Sequence, residues 1–238
     1  MILGPYSAPV ALASRPMMVL FWAVLAPTLA SYLIIAGANV GAGGELEVVG
    51  HPRLRFLLLS IAYGLVFAGM SFWSDRIGAG PFGGPMRSTG DWIAIGAVTG
   101  PVVMTVTTML VALLFAGDTP QQLREGADAS LLTAEALSPL MVLAAVLLIP
   151  LVEEIGFRGF GMGCLLARGW HPVAANLLVA GGFTALHSAL TPLALIPVFI
   201  MGLYLGALRV VSQSMAAPLA AHMSANAVTT LVFAISVS

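Results

Sequence analysis

The chain has 238 residues, 59% hydrophobic and 8% charged, with a net charge of -1. Soluble domains carry about 25% charged residues, so a water-facing exterior is excluded and a bilayer is the solvent that fits. The charge balance also excludes the basic face a nucleic-acid partner needs, and the single cysteine, Cys164, excludes an intrachain disulfide and a cysteine-built zinc site.

A membrane span needs about 20 mostly apolar residues. The first apolar run goes from Met17 to Val40 and is ended by Gly41, Gly43 and Gly44. It is long enough to span, so it reads as a transmembrane helix and not as a cleaved signal. The second runs from Leu54 to Trp73, after His51, Arg53 and Arg55, and the third from Asp91 to Ala116, with the Gly/Pro-rich loop Gly78–Gly90 between them. A polar, mildly acidic stretch, Asp118–Glu135, is expected to form a short interfacial helix. The fourth run begins near Leu137 and continues to about Ala167 through Pro150, a residue expected to kink the helix or split it. The fifth covers Pro172 to Leu190, the sixth Pro192 to Val211 and the seventh Met215 to Val237.

The expected fold is therefore all-α, a polytopic transmembrane helical bundle of about seven spans, within a range of six to eight. Residues 1–136 form an N-terminal scaffold in this reading, and residues 137–238 form the helical core that carries chemistry. No internal repeat is visible, which speaks against an inverted-repeat transporter. With seven spans, Arg15, Arg76, Arg87, Arg168 and Arg209 share the side of the N-terminus, against Arg53, Arg55 and Arg124 on the other. That bias puts the N-terminus in the cytoplasm.

Few ionisable residues fall inside the spans: Glu153, Glu154 and Arg158 in the fourth, His187 in the fifth and His222 in the seventh. A charge in hydrocarbon is unfavourable by several kcal/mol, on the order of 3 on insertion scales, so such residues face a partner or a watery cavity. Glu154 and Arg158 are i and i+4, share a helix face and can pair. Glu153 is turned away from Glu154 by about 100°, which leaves it free for chemistry. The bland alternative is a buried ion pair with a spare glutamate at the headgroups. His222 and Asn226 are also i and i+4, and together they can direct two hydrogen bonds at one oxygen, as an oxyanion site requires. The bland alternative there is polar glue between helices, and a lone His187 next to Gly181 and Gly182 reads more simply as a packed residue.

Glu153, His187 and His222 could also hold zinc as two imidazoles and a carboxylate. No His-Glu-x-x-His helix is present, and the sequence leaves a zinc-bound water and a glutamate-activated water both open. By these boundaries Glu153 lies late in its span, His187 late in the next and His222 early in the last, which sets His187 deeper than the other two.

Three motifs then stand in order: Glu153-Glu154-Ile155-Gly156-Phe157-Arg158-Gly159, Phe183 to His187, and His222 to Asn226. They resemble the Glu-Glu-x-x-x-Arg-Gly, Phe-x-x-x-His and His-x-x-x-Asn motifs of the CAAX proteases and bacteriocin-processing enzymes (CPBP, or Abi-like), a family that includes the type II CAAX prenyl proteases. The stretch through Gly202, Gly206, Pro218 and Ala221 resembles the approach to the third motif. The resemblance covers about Leu137 to Leu231.

It implies an intramembrane endopeptidase of a bacterial or archaeal cell membrane, with a polar chamber open to the cytoplasm. Glu153 and His187 would activate water, His222 and Asn226 would stabilise the oxyanion, and Glu154 and Arg158 would organise the chamber. No cofactor is implied, with zinc on Glu153, His187 and His222 as the open alternative. The implied partners are a peptide or protein substrate and the surrounding lipid; whether the substrate is prenylated stays open. Two other functions use the same residues: a non-catalytic scaffold or bacteriocin-immunity protein that binds a partner in the pocket, and a proton-coupled transporter.

Overall fold

A computed structural model describes residues 10–41, 52–80, 82, 84–86, 89–115, 138–187 and 190–236. Among the described residues the regular structure is entirely helical. After a single turn at Val10–Ala13, helix α1 runs without a break through Pro16–Leu20, Phe21–Leu25 and Ala26–Gly41. It is followed by α2 (Pro52–Arg76), α3 (Gly90–Leu114), α4 (Pro139–Ala167), α5 (Pro172–Leu186), α6 (Pro192–Ser212) and α7 (Ala216–Ser236). Six of these are long and apolar enough to cross a membrane, all but α5, and the chain is an integral membrane protein. The expected interfacial helix Asp118–Glu135 lies outside the described residues, as do Gly43 and Gly44.

The outer faces are apolar: Leu65 on α2 and Leu113 on α3 are 62% and 71% exposed, which suits lipid and not water. Several hydroxyls within the spans avoid an unsatisfied donor by bonding one turn back. Ser60 Oγ donates to Phe56 O at 2.9 Å, Thr108 Oγ1 to Met104 O at 2.8 Å and Thr184 Oγ1 to Ala180 O at 2.8 Å.

With little hydrophobic drive between helices in lipid, close approach of small residues holds the bundle together. On α3, Gly96 and Gly100 meet Ala217 and Ala221 of α7; a methyl group built on either glycine would overlap the α7 backbone. Thr99 Oγ1, from the same stretch, hydrogen-bonds Tyr204 of α6. On α6, Gly202 and Gly206 receive Ala180 and Asn176 of α5, and Asn176 Nδ2 donates to Leu203 O at 2.9 Å. On α4, Gly156 lies against Ala23 of α1.

A direct consequence follows for α3. Gly100→Leu must push α7 away and is expected to destabilise the protein by 1–3 kcal/mol or more, roughly the range for overpacking. Gly37→Leu, at a position with open space around it, is the control. Thermal unfolding in detergent checks the pair: a melting temperature lowered only for Gly100→Leu is expected.

Two features differ from the sequence reading. Pro150 neither splits α4 nor ends it. The helix stays continuous over 29 residues and loosens twice into π-helical register, at Ala144–Leu148 and Ile155–Gly161. A wider turn ahead of Pro150 accommodates a ring that cannot fit the usual α-helical register. The other difference is α5, which ends at Leu186 and not at Leu190. Its 15 residues rise only about 22 Å, short of a hydrocarbon core of about 30 Å. This removes the depth mismatch expected for His187. At 1.5 Å per residue, Glu153 on α4 and His187 at the end of α5 both lie roughly 20 Å from the turn that joins the two helices.

Candidate active site

The second π-helical segment, Ile155–Gly161, follows Glu154 directly and buries nearly its whole length. It carries Arg158 into the centre of the bundle, where Glu154 and Arg158 are both fully buried. Arg158 Nη1 donates to Glu154 Oε1 at 3.0 Å, and Nη2 donates to the Gly202 carbonyl on α6 at 3.0 Å. The i, i+4 spacing anticipated the first bond. The second is invisible to sequence reasoning, because it uses the backbone of a glycine.

His222 joins the two glutamates. It lies in the second turn of α7, directly after the close α3–α7 crossing at Ala217 and Ala221. Its Nδ1 is 2.9 Å from Glu154 Oε1. A carboxylate only accepts, so this nitrogen is the donor. Nε2 then points at Glu153 Oε2 across 3.7 Å, longer than a hydrogen bond. The Glu153 side chain keeps 12% of its surface accessible, against none for Glu154. One side chain of the pair is therefore partly accessible and the other sealed. Glu154 Oε2 and Arg158 Nε are buried without a hydrogen-bond partner among the described residues, polar sites of the kind internal water satisfies.

Phe183 ties His187 to this cluster. The Arg158 guanidinium lies 4.6 Å above its ring centroid, within cation–π range. Its centroid is 4.7 Å from that of His187 and 5.8 Å, edge to face, from that of His222. One aromatic ring thus fills the space among three of the polar residues. His187 ends α5 as its C-cap, with Nδ1 2.9 Å from the Phe183 carbonyl. A carbonyl cannot donate, so Nδ1 carries the proton and the lone pair of a neutral ring sits on Nε2. Asn226, one turn beyond His222, donates from Nδ2 to the Ala145 carbonyl on α4 at 3.0 Å, which uses one of its two amide protons.

Glu153, Glu154, Arg158 and His222 thus meet directly, His187 meets them across Phe183, and Asn226 is anchored to α4 beside them. Sequence reasoning named Phe183 only as the start of the motif that ends in His187, and passed over Gly96 and Gly100, whose four-residue spacing was the available signal. The donor set also bears on zinc. Among the described residues no three His, Cys, Asp or Glu side chains are grouped as metal ligands. An apolar groove of about 610 Å³ lies farther along the same helices, lined by Val142 and Val146 of α4 and Ala227 and Leu231 of α7.

Residues 135–228 match the family model described as type II CAAX prenyl endopeptidase Rce1-like. The match takes in α4, α5, α6 and α7 as far as Val228, with every residue of the cluster, and leaves α1 to α3 outside. Neither a curated protein nor a solved structure matches the chain.

Proposed function

We propose, from the match of residues 135–228 to the type II CAAX prenyl endopeptidase Rce1-like family model, that the chain is an intramembrane endopeptidase that cuts the C-terminal CAAX-type peptide of a prenylated, membrane-associated protein. Glu153 acts as the general base. It takes a proton from a water molecule that His187 orients through Nε2, and the water oxygen attacks the scissile carbonyl carbon. The tetrahedral oxyanion receives hydrogen bonds from the second amide proton of Asn226 and from the Nε2–H of a doubly protonated His222, whose Nδ1–H stays on Glu154. Collapse breaks the carbon–nitrogen bond, and the proton on Glu153 passes to the leaving amine. Glu154 and Arg158 hold His222 and Phe183 in place. The reading uses no metal.

One observation carries this proposal: the two adjacent carboxylates have opposite surroundings, Glu154 fully buried and ion-paired, Glu153 partly open and facing His222. A purely structural ion pair has no use for the second carboxylate. The N-terminus is cytoplasmic in this reading, and so is the turn between α4 and α5.

The test is a comparison of protein termini in cells producing the wild type or Glu153→Gln, together with metal analysis of the purified protein. Membrane-associated proteins shortened at their C-termini only with the wild type, and no stoichiometric metal, are the expected results. Identical termini with retained biological function would favour a partner-binding scaffold.

A further inference from the structure

Pro150 is buried in α4 and has been given no chemical role above. Its backbone nonetheless bears on a residue that has one. In an α-helix the Ala145 carbonyl would accept from Ile149 N–H, and in π register from residue 150. Here Ile149 N–H donates to Ala144 O, in the π register of Ala144–Leu148, and residue 150 is proline, which has no N–H. Both intrahelical donors to Ala145 O are lost together. That carbonyl is the one that Asn226 Nδ2 reaches from α7, at 3.0 Å. A carbonyl within a membrane span that lacks a helical partner needs another donor, and the Asn226 carboxamide supplies it.

We infer that Pro150 is a positioning residue: by stripping Ala145 O of its helical partners it creates the acceptor that fixes the Asn226 carboxamide. One amide proton of Asn226 is spent on α4, and the other is held in a single direction. This deepens the function proposed above and rests on it for the role of Asn226, but the structural part stands without it. Restoring an N–H at position 150 must affect Ala145 O in either register. If the π turn persists, residue 150 donates to it; if the α register returns, Ile149 does.

The experiment uses the full-length protein in lipid bilayers, labelled at asparagine Nδ2. The chain has three asparagines, Asn39, Asn176 and Asn226, and single substitutions assign their carboxamide resonances. In Pro150→Ala the Asn226 resonance is expected to move by more than its linewidth and its protons to exchange with water faster, while Asn176, bonded to Leu203 O, is unchanged. An unmoved Asn226 resonance overturns the inference. Turnover of an internally quenched, S-farnesylated CAAX peptide gives a second readout. Pro150→Ala is expected to lower kcat roughly ten- to a hundred-fold with KM little changed, and to have almost no further effect in an Asn226→Ala background, since the two act as one unit. An equal drop in that background overturns the positioning role. If Asn226→Ala turns over like the wild type while the resonance still moves in Pro150→Ala, the anchoring stands and the oxyanion role of Asn226 falls.

Discussion

Glu153→Gln is expected to leave the protein folded and inserted while turnover of the S-farnesylated CAAX peptide falls about 10²- to 10⁴-fold, the usual contribution of a general base. Glutamine keeps the size and planarity of glutamate but cannot take a proton from water. The fold has little at stake in the change. Glu153 contacts His222 only across 3.7 Å and keeps 12% of its side chain exposed, whereas the neighbouring charges that are sealed and directly bonded are those of Glu154 and Arg158. The melting temperature in detergent is therefore expected to stay within a few degrees of the wild type, on the order of the shift from a fraction of a kcal/mol. Wild-type turnover by Glu153→Gln would remove Glu153 from the chemistry.

Arg158→Ala is expected to do the reverse, to damage the fold first and the activity through it. The substitution leaves the Glu154 carboxylate fully buried with His222 as its remaining partner, frees the Gly202 carbonyl and takes a cation from the face of Phe183. Breaking one partner of a buried ion pair destabilises by about 3–5 kcal/mol, and the lost cation–π contact adds on the order of 1 kcal/mol. Neutralising both partners at similar volume, as in Glu154→Gln with Arg158→Met, is expected to recover much of that loss, because no uncompensated charge stays behind. Arg76→Ala is the control. Arg76 is exposed and lies over Phe72, and its loss is expected to move stability by about 0.5 kcal/mol or less. Denaturant unfolding of the variants checks the order: Arg158→Ala least stable, the double variant intermediate, Arg76→Ala close to the wild type.

These two variants separate the roles that adjacent glutamates play, and that separation was legible in the sequence. The spacing of Glu154 and Arg158 gives their pairing, and the rotation between consecutive helical residues turns Glu153 elsewhere. Most spans were legible too, since long apolar runs bounded by Gly, Pro and Arg leave few other readings. The end of α5 was not. Hydropathy dips only briefly after Leu186, at His187 and Ser188, before Ala189, Leu190 and the apolar α6. The helix ends there through local geometry, with His187 N–H and Nδ1–H turned back onto Thr184 and Phe183 carbonyls and Pro192 opening the next helix. The π-helical turns in α4 carry no compositional mark except Pro150.

The part played by α3 illustrates a different limit. α3, whose one charge is Asp91 in its first turn, reads in the sequence as scaffold. Gly96 and Gly100 let Ala217 and Ala221 approach to backbone contact, which sets where His222 stands relative to Glu154. The Gly-x-x-x-Gly spacing was visible, but nothing in it named the partner helix. Phe183 is similar. As a motif position it pointed to His187, and only the structure reveals one ring packed among Arg158, His187 and His222.

The central claim, that a water molecule beside Glu153 hydrolyses a peptide bond, is tested most directly by incubating the purified protein in liposomes with the S-farnesylated CAAX peptide in ¹⁸O-labelled water and weighing the products. A peptide shortened just after its lipidated cysteine, carrying ¹⁸O in the new carboxyl group with the wild type and not formed by Glu153→Gln, is the predicted result. An intact peptide with the wild type, or the same labelled product from both proteins, would contradict it.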